Sequence, residues 1–194
     1  MDTLLADVNI VDFSTRLPGP LASYILQGQG AQVVKIESPT NRDSFSIKNL
    51  ESAQFNNWYE NLNQGKKIEI LDFEKELGKI QDLVKKADLI FMPQNRFFHK
   101  FLNSLDTENK AIIEIAGGKD QSAPLHDINA LALTKTFRFH TQESMVPPYL
   151  PFAGITFAQY IATTAIAVLR KVEKKQQSQR TVSYTHLRAH ETRH

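Results

Sequence analysis

The chain has 194 residues, 41% of them apolar, with 23 basic against 21 acidic side chains and a net charge of +2. That length suffices for one core of ordinary size, and the near-neutral balance gives no field that would draw nucleic acid. The lack of cysteine excludes a disulfide, a thiolate nucleophile and a cysteine-bound metal, and it permits a cytoplasmic setting.

Asp2 and Asp7 interrupt the first residues, so no signal peptide is expected there. From Val8 to Pro39 the chain reads as strand, tight turn, helix and second strand. Asn9 to Phe13 is a short apolar run, Leu17-Pro18-Gly19-Pro20 breaks it, Leu21 to Gln29 has helical spacing, and Gln32 to Ile36 is β-branched and apolar. This is a βαβ unit, which implies parallel strands and a ligand crevice at their carboxyl ends.

The alternation continues. A helix is expected at Ser52 to Leu62, a strand at Lys67 to Leu71, a helix at Phe73 to Lys86 and a strand at Leu89 to Met92. A helix at Arg96 to Leu105, a strand at Ala111 to Ile115 and a helix at Phe157 to Lys174 follow. The expected fold class is α/β, a Rossmann-like parallel sheet with flanking helices. Ser144 to Pro151, with three prolines, reads as loop. Met145 to Leu169 has no charged residue, yet its prolines, threonines and Gln159 favour a buried core helix over a membrane span, and no membrane partner is expected.

Other conspicuous residues have plain readings. Lys66 and Lys67 enter a strand as solvated charges. Gly19-Pro20 starts a helix. Gly117-Gly118-Lys119 lacks the Walker spacing and reads as loop. Phe97, Phe98 and Phe101 share a helix face as core or interface. His190-Glu191-Thr192-Arg193-His194 matches the H-E-x-x-H zinc pattern, but the flanking Ser183 to His194 segment has a single leucine and no core-facing stripe, so no metal site is assigned. Ser183 to His194 is read as a foreign or disordered tail, which leaves 1–182 as the domain.

Val11-Asp12-Phe13, Gly19-Pro20-Leu21-Ala22, Gly30-Ala31 and Val34-Lys35-Ile36-Glu37 resemble the opening of the family III CoA-transferases, the CaiB/BaiF type. Leu62 to Lys67, Lys85 to Ile90, the helix start at His126-Asp127, and Ile161 to Gln179 are similar to later family segments in the same order. The resemblance implies the N-terminal half of that family's fold. It also implies a homodimer or an assembly with a partner subunit.

Members of the family move CoA between carboxylic acids, so acyl-CoA and a carboxylic acid are the implied partners, with CoA as substrate and no permanently bound cofactor. An aspartate attacks the thioester, forms an anhydride and then an aspartyl-CoA. Such a carboxylate must be shielded from water and close to N–H donors. Counting back from Leu169 to Gln179, its position falls on Gly154, or on Ile155 after a one-residue slip, and neither can carry a CoA ester. Asp127 is the nearest carboxylate, and it also suits a helix start. Positions implied to approach CoA are Arg16, Leu17 and Ser38, while Met92-Pro93-Gln94 replaces a Glu-Asn-Phe motif. The transferase reading therefore stands beside a catalytically silent homologue that binds a CoA ester or a protein partner.

Overall fold

The computed structural model describes residues 3–46, 53–117, 126–139 and 150–184. The Gly118-Lys119 pair, the loop expected at 144–149 and the zinc-like pattern at 190–194 lie outside them.

Among the described residues six strands form one parallel sheet. They are β1 (Asn9–Asp12), β2 (Gln32–Glu37), β3 (Lys67–Ile70), β4 (Leu89–Pro93), β5 (Ala111–Ala116) and β6 (Gln179–Tyr184). The spatial order is β3-β2-β1-β4-β5-β6, and each neighbouring pair is parallel, with Val11 beside Val34 on one side and Ile90 on the other. Strand order thus reverses between β1 and β4, the place where open α/β sheets form a ligand crevice.

The described residues include six α-helices: α1 (Pro18–Gly28), α2 (Ala53–Leu62), α3 (Leu77–Lys86), α4 (Arg96–Leu102), α5 (Asp127–Leu133) and α6 (Phe152–Lys175). Alternate strand residues feed two cores. Ile10, Leu89, Phe91 and Ile113 pack with Ala22 and Leu26 of α1 and with Phe157, Ile161 and Ala165 of α6. Val11, Ile90, Met92 and Ile112 pack on the other face with Ile80 and Val84 of α3 and Phe98 and Phe101 of α4. By length and composition α6 is apolar enough to cross a membrane. Its buried residues Gly154, Phe157, Ala158, Ile161, Ala162, Ala165, Val168 and Val172 recur at helical spacing and form the face that meets α1 and the sheet.

Helix boundaries depart from the sequence expectation for local reasons. Helix α1 starts at Pro18 rather than Leu21, because prolines in the first turn lack an N–H that the helix would leave unpaired. Helix α3 starts at Leu77 rather than Phe73. The Asp72 side chain accepts the N–H groups of Glu74 and Lys75 at 3.0 and 3.1 Å, which turns residues 73–76 aside and sends Phe73 into an aromatic cluster with Phe13 and Phe101. Helix α6 starts five residues early, at Phe152. Strand β6 continues through Ser183 and Tyr184, two residues the sequence reading gave to the tail, and Ser183 is buried.

Candidate functional site

The β1–α1 turn lies at the strand-order reversal, where Phe13 N–H donates to the Phe91 carbonyl of β4 at 2.9 Å. Asp12 ends β1 fully buried and fixes the turn: it accepts the Ser14 N–H at 2.8 Å, the Ser14 hydroxyl, and the Ser23 hydroxyl of α1 at 2.5 Å. Gly19 is required here, since a Cβ at that position would stand 2.0 Å from Ser14 Oγ.

Two lysines support this turn from below. Lys66 is buried rather than solvated, which corrects the sequence reading. Its Nζ donates to the Pro20 carbonyl, Ser23 Oγ and Asn63 Oδ1 at 2.7, 2.8 and 3.2 Å, with Asp12 at 3.8 Å. Burial pushes its ammonium down to about 8, against the pull of Asp12. Lys35, on β2 and fully buried, donates to the Ser14 carbonyl at 2.6 Å and pairs with Asp43 at 3.4 Å and Glu37 at 3.9 Å.

A carboxylate network surrounds them. Glu37 accepts Arg42 Nε at 2.6 Å and the Tyr59 hydroxyl at 2.9 Å. Burial alone would raise the Glu37 carboxyl, but Arg42, Lys35 and Tyr59 outweigh it and hold it below the usual range. Burial and the Glu37 charge push Tyr59 up to about 12.

The expected CoA-facing residues fall as follows. Arg16 is exposed, adopts a left-handed φ of 65°, and gives its N–H to Asp43 Oδ2 at 2.9 Å. Leu17 is buried and turned towards α6: a Cβ on Gly154 would lie 2.9 Å from Leu17 Cδ2 and 3.6 Å from Asp127 Oδ1. Ser38 follows β2 and bonds within its own turn, to Thr40 at 2.9 Å. Asp127 opens α5, yet its carboxylate accepts the Gly154 N–H at 2.7 Å, so it also caps the first turn of α6. Leu17, Asp127 and Gly154 thus meet at one point, although 137 residues separate Leu17 from Gly154 in sequence. His126, exposed, is the residue immediately before Asp127, at the start of α5.

The buried lysines and Asp43 escaped sequence reasoning. The available signal was alternation: Lys35 shares one strand face with Val33 and Glu37, beside the apolar Val34 and Ile36 of the other face. Beside α4, an open cavity of about 760 Å³ is lined by Arg96, His99, Lys100 and Arg180, with buried Glu114 paired to Arg180.

Comparison with known proteins places this geometry. The fold matches a CaiB/BaiF family protein from Brucella suis at TM-score 0.78 and 20% identity, over 93% of this chain and 52% of that one. It matches Rv3272 from Mycobacterium tuberculosis at TM-score 0.74 and 20% identity, over 94% and 53%. In sequence, the chain is 30% identical to an acyl-CoA transferase of Fusarium pseudograminearum over 97 residues, 44% of this chain and 21% of that protein. It is 28% identical to human alpha-methylacyl-CoA racemase over 142 residues, 67% of this chain and 34% of that protein. The chain therefore spans about half the length of these solved structures and about a third or less of these curated relatives. The family model of CoA-transferase family III matches residues 5–110, more than half of the sequence. With the β1–α1 turn held by buried side chains at the end of a parallel six-stranded sheet, the chain belongs to CoA-transferase family III.

Proposed function

We propose that the protein binds an acyl-CoA thioester across the Ser14–Leu17 turn and transfers CoA between carboxylic acids, with Asp127 as the nucleophile. The observation that carries this reading is the 3.6 Å separation between Asp127 Oδ1 and the point where a side chain on residue 154 would begin. Position 154 lacks the family carboxylate, and Asp127 supplies one from the neighbouring helix. One Asp127 oxygen holds the Gly154 N–H; the other attacks the thioester carbonyl and expels CoA thiolate, giving an acyl-aspartyl anhydride. The thiolate then attacks the aspartyl carbonyl, releases the acyl group as a carboxylate and leaves aspartyl-CoA for the incoming acid. N–H groups of the first turn of α6 favour the developing negative charge. Arg96, His99 and Lys100 of α4, the helix that follows β4, suit the phosphates of CoA. A second copy or a partner subunit completes the site in this reading.

The test is incubation with an acyl-CoA followed by peptide mass mapping. A CoA adduct on Asp127 that vanishes in Asp127→Asn is the expected result, and no adduct would remove the transfer reading. A second reading has its own support in His126 and in the likeness to the racemase. An imidazole beside the acyl group can remove and return the proton next to the thioester carbonyl, which needs no carboxylate at residue 154. Deuterium uptake from heavy water into a 2-methylacyl-CoA, without adduct and abolished by His126→Ala, would favour it. Binding with neither signal would mark a silent homologue.

A further inference from the structure

We propose that Lys35 and Asp43 are positioning residues, a buried clamp that holds the Ser14–Leu17 turn in the shape that receives acyl-CoA; this rests on the acyl-CoA reading above. Three observations meet here. Arg16 is an L residue at φ 65°, a conformation such residues adopt only where the surroundings impose it. Its N–H is held by Asp43 Oδ2 at 2.9 Å, while Lys35 Nζ holds the Ser14 carbonyl two residues earlier at 2.6 Å. Lys35 and Asp43 in turn face each other at 3.4 Å, with side chains 0% and 1% exposed.

Asp43 also accepts the Phe45 N–H at 3.0 Å, and its carbonyl accepts the Ser46 hydroxyl at 2.7 Å. The clamp therefore ties the β1–α1 turn to the segment that follows β2. Stability alone is a weak reason for such a pair, because a buried ion pair can often be replaced by apolar side chains without loss. Fixing two backbone groups of one turn is a task that apolar side chains cannot perform. The turn so fixed ends at Leu17, the residue that meets Gly154 and the carboxylate of Asp127.

The experiment is a double-mutant cycle on the full chain, reading acyl-CoA affinity by calorimetry and Arg16 amide exchange by hydrogen–deuterium exchange. Asp43→Ala is expected to weaken binding about tenfold, since it removes a hydrogen bond to a charged acceptor. In an Arg16→Gly background, where glycine takes the left-handed conformation without help, the same change should cost less than about threefold. Equal losses in both backgrounds, or none, overturn the clamp. If Asp43→Ala fails to fold, Lys35→Met provides the same comparison. The exchange arm needs no ligand: faster Arg16 exchange in Asp43→Ala supports the clamp, and unchanged protection overturns it. A native chain that binds no acyl-CoA while Arg16 is protected defeats the acyl-CoA reading and leaves the clamp to the exchange result.

Discussion

Lys66 has the ammonium that burial holds near 8 rather than at its ordinary 10.5. Between those values the unfolded chain binds more protons than the folded one, so folding stability rises with pH across that window. Tyr59, raised to about 12, acts in the opposite sense above pH 10, because there the unfolded chain loses its phenol proton first. The clean interval is therefore pH 8 to 10. Urea midpoints should climb across it for the native chain and stay flatter for Lys66→Met, and parallel curves would contradict the buried position of Lys66. The same residue shows how burial changes a reading: two adjacent lysines look alike in sequence, yet Lys66 is buried under Pro20 and Ser23 while Lys67 pairs with Glu69 at the surface.

At the scale of elements, α6 depends on a residue from outside itself. Pro151, its N-terminal neighbour, offers no side-chain cap, and the Gly154 N–H is taken instead by Asp127 of α5. Asp127→Ala should destabilise the protein by about 1 kcal/mol, the usual cost of a lost helix cap, and Asp127→Asn by less because an amide oxygen can still accept. Chemical denaturation of the two variants checks the order. Helix α4 contrasts with it: Asn95 caps its own helix, accepting the Phe98 N–H at 2.8 Å. Asparagine before an apolar run is readable in sequence, whereas a cap donated across 27 residues is not.

At the scale of the molecule, β3 and β6 are the edge strands of the sheet among the described residues. Ile68 and Ile70 of β3 are 39% and 48% exposed, and Phe152, Tyr160 and Ile166 of α6 are likewise exposed. An edge strand with exposed apolar side chains offers both unpaired backbone groups and a surface to bury. Sedimentation velocity should show association that grows with concentration, and Ile70→Lys should shift the distribution to smaller species. A single small species at every concentration, unchanged in the variant, would show that this edge does not associate.

The sequence by itself determined the βαβ order, the parallel sheet and five of its strands, because apolar alternation, prolines and glycines act over a few residues. It also determined the likeness to the family, since the opening motifs lie in consecutive residues. The sixth strand was harder to see: Gln179 to Tyr184 mixes polar with apolar side chains, and their burial comes from pairing with β5. Helix starts at Pro18, Leu77 and Phe152 were set by caps and turns that compete with periodicity. The tertiary structure alone decided the site. Lys35, Lys66 and Asp43 become buried partners of one turn only when β1, β2 and β3 lie side by side, and Leu17, Asp127 and Gly154 meet only when α6 crosses back over α1. Charge pairing of this kind depends on distances through space, and spacing along a chain does not encode them.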